Sequence, residues 1–227
     1  ILIIDKDAKQ KNDRTWCFWE KEAGLFQSIV YKEWKHLFFY SHHFSNELNI
    51  QPYTYKLIRG IDFYNYCLDQ IKLHPNIVFL NATVENIIST EEETAVIADG
   101  KRFRCRFVFN SILFQKPVLS KGAVWMLQHF KGWLIDTEKP VFDLQAATIM
   151  DFKTDQSEGA TFFYVLPFSS TSALIEYTLF SEKILEDAVY ENALKNYIEK
   201  LPGIKAYTIK EKEFGVIPMT NYPFSTI

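Results

Sequence analysis

The sequence predicts an α/β fold in two parts, a parallel-sheet first half followed by an antiparallel sheet of α+β character with one long helix. Three observations carry this. Ile1-Leu2-Ile3-Ile4 is an unbroken run of leucine and β-branched residues ending at Asp5, the pattern of a strand buried on both faces of a parallel sheet. A helical repeat follows at Phe63, Cys67 and Ile71, stopped by His74-Pro75. In the second half, four aromatic and β-branched runs separated by polar or Gly/Pro turns precede a second helical stripe.

Taken in order, the first strand opens the chain with no initiator Met before it, so a piece of a longer protein is expected. Lys6 to Arg14 reads as a charged loop. The stretch from Thr15 to Phe44 is dense in aromatics, with Leu37 to Ser41 its clearest strand. Asp62 is the expected N-cap of a helix over Phe63 to Leu73. Asn76 to Ile88 reads as strands, Glu91 to Glu93 as a hairpin tip and Thr94 to Ala98 as a strand. Asp99-Gly100 makes a two-residue turn into a return strand over Lys101 to Asn110. Lys116-Pro117 and Gly122 mark a boundary, which gives a first domain over 1–118 and a second over 119–214. The second contains strands at Val124 to Phe130, Ala146 to Phe152, Thr161 to Leu166 and Ala173 to Phe180. A helix over Ile184 to Leu201 follows, with Leu185, Val189, Ala193, Tyr197 and Leu201 on its buried stripe and Pro202-Gly203 as its stop. After a strand near Thr208 to Val216, residues 215–227 are expected to turn back toward the first domain.

Of the 227 residues, 25 are Lys or Arg and 28 Asp or Glu, a formal charge of −3 that gives no general attraction to nucleic acid. Hydrophobic residues at 48% against 23% charged supply a core and exclude disorder for most of the length. Cys17, Cys67 and Cys105 stand in no metal-binding or disulfide spacing and are expected to be buried thiols in a reducing cytosol. No apolar run reaches the roughly 20 residues of a membrane-spanning helix. His42-His43 would point to opposite faces of a strand, so no metal site is expected.

Several side chains have both a chemical and a plain reading. Asp5, at a strand end, either accepts hydrogen bonds from an adenosine ribose or is structural. Arg14, in Asp13-Arg14-Thr15-Trp16-Cys17-Phe18-Trp19, either holds a pyrophosphate or stacks on an indole. Glu176, in Ala173-Leu174-Ile175-Glu176-Tyr177-Thr178-Leu179-Phe180, is either a buried carboxyl with a raised pKa, suited to general acid work, or a polar residue on a wet strand face. His129 and Asp151 share that ambiguity.

Six blocks in order resemble the bacterial lycopene cyclase family. They are the segment from Asp13 to Trp19, Gln128-His129-Phe130-Lys131-Gly132-Trp133, Met150-Asp151-Phe152, Phe163 to Phe168, Ile175-Glu176-Tyr177-Thr178 and Gly215-Val216-Ile217-Pro218-Met219. The resemblance implies a partial Rossmann-like FAD-binding domain of the hydroxylase type and an antiparallel substrate-binding sheet. It implies an intramolecular lyase or isomerase that closes the ψ-ends of lycopene into the β-rings of γ- and β-carotene, using reduced FAD with NAD(P)H as electron donor and no net redox change. Asp5, Arg14 and Arg59 are then cofactor contacts, Glu176 the acid of a Glu-x-Thr element, and His129 and Asp151 residues lining the site. The family's glycine-rich turn before the first strand and its later Gly-rich segment are absent here. Lycopene and other linear carotenoids reside in bilayers, so a cytoplasmic protein at the inner face of the membrane is implied. Two rivals remain open at this point: a related flavoenzyme that consumes NAD(P)H stoichiometrically, and a noncatalytic carotenoid carrier.

Overall fold

The computed structural model describes residues 1–115, 118–119 and 121–222. In chain order the first half lays down β1 (Leu2–Asp5), β2 (Thr15–Glu20), β3 (Lys32–Trp34), β4 (His36–Tyr40), β5 (Ser45–Leu48) and β6 (Thr54–Arg59), then α1 (Gly60–Lys72). It continues with β7 (Val78–Asn81), β8 (Val84–Ser89), β9 (Thr94–Ala98) and β10 (Lys101–Arg104). The second half has β11 (Trp125–Thr137), β12 (Ala146–Asp151), β13 (Ala160–Pro167), β14 (Ser172–Ser181), α2 (Asp187–Ile198) and β15 (Tyr207–Thr220).

Two units emerge, one of Ile1–Trp16 with Ile58–Lys116 and one of Cys17–Leu57 with Pro117–Ile227. In the first unit β1 pairs in parallel with β7, which places Asp5 opposite Asn81 at the strand ends. The expected burial of β1 on both faces is not seen: Ile1 is 77% exposed and Leu2 and Ile3 are exposed too, because among the described residues β7 is the one strand beside it. Strands β8, β9 and β10 form an antiparallel meander. Asp99 (φ 43°) and Gly100 (φ 71°) turn the β9–β10 hairpin with two left-handed residues, as an Asp-Gly pair favours. The return strand stops at Arg104 instead of Asn110, and Phe107 and Phe109 beyond it are exposed.

Helix α1 starts earlier than the Asp62 cap predicts. Its N-cap is Arg59, and the Gly60 amide donates to the Arg14 carbonyl at 2.7 Å, so a contact from a distant loop fixes the first turn. A Cβ at Gly60 would lie 2.9 Å from that carbonyl oxygen, which explains glycine there.

The second unit is built on a seven-stranded sheet of order β15-β11-β14-β13-β12-β4-β5, with every pair antiparallel except β12 with β4. Helix α2 covers one face, burying Tyr190, Leu194 and Ile198 against Trp133, Phe163, Ile175 and Leu179. The fully buried row is therefore one position away from the expected stripe, of which Val189 is 40% exposed while Leu185, Ala193, Tyr197 and Leu201 pack at the margin. On the other face Leu166 and Leu174 pack with Trp34, Leu37, Tyr55 and Leu57.

That second core corrects the domain boundary. Residues 17–57 were expected in the first domain, but β4 lies in register beside β12, and Trp34 and Leu37 are wholly buried in the second unit. Residues 215–220 likewise continue β15 along β11 instead of turning back. The Lys116-Pro117 break lies outside the described residues. Of the three thiols, Cys17 and Cys67 are partly buried and Cys105 is exposed, contrary to expectation.

Candidate active site

Side chains alternate across a strand, so β14 sends Ala173, Ile175, Tyr177 and Leu179 to the α2 face and Leu174, Glu176 and Thr178 to the other. Glu176 stands opposite Tyr164 on β13 and Gly132 on β11. Gly132 in turn stands opposite Glu213 on β15. Tyr164, Glu176, Gly132 and Glu213 thus make one row across four strands, on one face. Thr178, two residues along β14, donates its hydroxyl to Glu176 Oε1 at 2.6 Å.

Burial and the nearby Glu213 carboxyl push the Glu176 pKa up to about 8, against the hydrogen bond from Thr178. Tyr164 and Cys17, desolvated and close to the same carboxyl, are each raised to about 12 and stay neutral, and Tyr55 is raised as well. What results is a partly buried acid that carries a proton at neutral pH, among neutral rings and a neutral thiol. Such a group can give a proton to a weak base and take one back.

The structure does not bring His129 and Asp151 to this face. His129 is fully buried on the α2 side, with Nε2 2.8 Å from Ser181 Oγ and Nδ1 2.6 Å from Tyr190 Oη. Ser181 donates onward to the Lys183 carbonyl, so it accepts from His129 Nε2–H and leaves Nδ1 to accept from Tyr190. Burial lowers the His129 pKa, as befits a neutral core ring. Asp151 accepts from Tyr197 of α2 at 2.9 Å and from the Lys153 amide at 2.9 Å. Both residues tie the sheet to its helix or its loops.

In the first unit Asp5 closes β1, with its Oδ1 accepting from the Asp7 amide at 2.8 Å and Oδ2 2.9 Å from Lys9 Nζ. Burial alone would raise its pKa, but the Asp7 amide and the charges of Lys9 and Arg14 outweigh it and hold Asp5 below the ordinary carboxylate value. Arg14 is 63% exposed, its Nε 3.5 Å from Asp13. Arg59 is held by both oxygens of Asp62, at 2.6 and 2.9 Å. Asp5 and Arg14 are therefore neighbours, whereas Arg59 already has an anionic partner.

Sequence reasoning missed Glu213, Gly132 and Tyr164 as members of the Glu176 row. Lys210-Glu211-Lys212-Glu213 reads as a solvated charge run, and its first three residues are exposed, with Lys212 on the α2 face 2.7 Å from Glu191, whereas Glu213 is partly buried. The signal that finds Glu213 is register, which needs the pairing partner of β15.

The family model described as lycopene cyclase protein matches residues 1–226. No curated protein matches the sequence. Among solved structures, a geranylgeranyl bacteriochlorophyll reductase-like protein from Thermoplasma acidophilum superposes with TM-score 0.58 at 14% identity, over 95% of this chain and 59% of that one. A flavin-dependent brominase gives 0.63 at 9% identity, over 96% and 61%. A halogenase in complex with phloroglucinol and FAD gives 0.53 at 12% identity, over 84% and 45%. At these identities the likeness is one of fold, and the chain spans less than two thirds of each neighbour's length. Among the described residues no helix is long and apolar enough to cross a membrane, and no group of three or more His, Cys, Asp or Glu is placed to hold a metal ion.

Proposed function

Since the chain belongs to the lycopene cyclase family, we propose that it acts in a flavin-dependent lycopene β-cyclase in which Glu176 handles the proton. The observation that carries this reading is a carboxyl, Glu176, on a sheet face lined by Tyr164, Leu174 and Tyr55, where burial and Glu213 push its pKa up to about 8. Closing a ψ-end needs a proton on the terminal double bond, capture of the resulting tertiary cation by the neighbouring alkene, and loss of a ring proton. The proton that leaves Glu176 is replaced by the one the ring releases, so atoms and charge balance with no net oxidation. Water would intercept the cation, and the apolar and aromatic neighbours of Glu176 suit a step that must proceed without it.

The first unit fits the dinucleotide part of FAD. Asp5 is an ionised acceptor at the carboxyl end of a parallel strand, suited to ribose hydroxyls, and Arg14 has an exposed guanidinium suited to phosphate oxygens. Arg59 serves only if it leaves Asp62. When bound and reduced by NAD(P)H, the flavin supplies an electron-rich ring that favours a nearby cation. Its substrate is a linear carotenoid drawn from the bilayer, which makes peripheral contact with the inner membrane face part of the proposal.

The test is Glu176→Gln in the full-length protein, assayed by carotenoid extraction from lycopene-accumulating cells. Conversion should fall by at least about 10²-fold, the usual worth of acid–base catalysis, with flavin retained. A variant that makes β-carotene at the wild-type rate removes Glu176 from the chemistry. Stoichiometric NAD(P)H consumption would favour a redox flavoenzyme instead.

A further inference from the structure

Residues two strands apart in a sheet are separated by roughly 9 to 10 Å at the backbone, and the side chain between them normally fills the gap. Gly132 has none. It lies directly between Glu176 on β14 and Glu213 on β15. A Cβ there would sit 2.8 Å from Glu213 Cγ, 2.9 Å from Glu213 Oε1 and 3.1 Å from Leu174 Cδ1. The Glu213 side chain therefore lies across the glycine, toward Glu176, and its carboxyl is near enough to raise the Glu176 pKa. Two ionised carboxylates can only accept, so a hydrogen bond between them requires one proton held in common. A glycine inside a strand weakens it, and the one at 132 is explained by the approach it permits.

We propose that Glu213 is a positioning residue for the proton chemistry of Glu176, that the two carboxyls share one proton, and that Gly132 is the gap through which they meet. This rests on the reading of Glu176 given above. Before reaction the pair carries one proton and one negative charge. Transfer of that proton from Glu176 to the terminal alkene carbon leaves two carboxylates beside one carbocation, and the repulsion between them makes the pair a strong base for the ring proton that must leave. Thus one device serves both proton steps.

The groups facing the pair are Tyr164 from β13, Tyr55 from β6, Cys17 from β2, Thr178 on β14 itself and the exposed Glu211 two residues along β15. The first three are neutral, Thr178 does not titrate and Glu211 is acidic.

The experiment is infrared titration of the protonated-carboxyl stretch in the full-length protein, with the band identified by its loss in Glu176→Gln. Glu213→Gln keeps the shape and removes the charge. Its Glu176 midpoint should fall by about one pH unit or more, a tenfold loss in proton affinity. The alkaline limb of the cyclisation rate should move by the same amount, with KM unchanged. Glu213→Asp, which keeps a carboxylate, should restore part of the shift. Gly132→Ala, which wedges the carboxyls apart, should lower the midpoint with Glu213 intact, and it serves as the test if Glu213→Gln does not fold. An unchanged midpoint in Glu213→Gln, or in Gly132→Ala in its place, overturns the proposal. Failure of the underlying reading is separate, because wild-type turnover in Glu176→Gln discards the catalytic role whatever the midpoints show.

Discussion

At the scale of single residues, the cost of keeping a carboxyl at position 176 is itself measurable. Its pKa in the fold is about 8 against an ordinary 4.5, so the folded state binds the proton more tightly than the unfolded chain does. This group's contribution to stability is fully present below about pH 4.5, declines as the pH rises toward 8, and is flat above. Glu176→Gln removes that slope. The stability difference between mutant and wild type should therefore grow in favour of the mutant from pH 5 to pH 8, read by urea denaturation at stepped pH. A parallel pair of curves would mean that Glu176 titrates normally. The sequence made Glu176 legible because a lone carboxylate among Leu, Ile, Tyr and Phe is conspicuous. Glu213 was not legible, because its neighbours Lys210, Glu211 and Lys212 hide a buried-face residue inside a charge run, and only pairing with Gly132 tells the faces apart.

Among elements, the long strands and the helices were readable from periodicity, and what was lost is the part decided by tertiary contact. All four strands expected between Val124 and Phe180 exist, since alternation over an amphipathic face is a local property. The start of α1 was missed because Arg14 sets it through Gly60, and the exposure of β1 depends on which strands lie beside it. The α2 row was misread by one residue. A helix this short has apolar residues on adjoining faces, and only the sheet below selects Tyr190, Leu194 and Ile198 over Val189. This has a measurable consequence: Leu194→Ala should cost about 2 to 5 kcal/mol in chemical denaturation, whereas Val189→Ala should stay within about 0.5 kcal/mol of wild type. Equal losses at both positions would contradict the observed face.

Considered as a whole molecule, the chain enters its second unit within β2, leaves it at the start of β6's last residues, and enters it again after Lys116, so a single boundary near 118 could not describe it. No composition shift marks the first two crossings, because both fall inside strands, and sequence punctuation by Pro and Gly marks loops. The division assigns different chemistry to each unit: Asp5 and Arg14 belong to the first, Glu176 and Glu213 to the second. If the first unit holds the adenosine part of FAD, then Asp5→Ala should weaken flavin binding by about 1 to 3 kcal/mol, the range for a charge-assisted hydrogen bond, or roughly 5- to 150-fold in Kd. In the full-length protein its loss of cyclisation should be recovered by excess FAD. Glu176→Gln should show the opposite profile, with flavin absorbance per protein at the wild-type level and turnover that no amount of FAD restores. Measuring both quantities on both variants tests whether cofactor retention and proton handling are separable along the chain. An Asp5→Ala protein that keeps its flavin through dilution would remove Asp5 from the cofactor site and leave Arg14, with Arg59 if it releases Asp62, as the candidate contacts in the first unit.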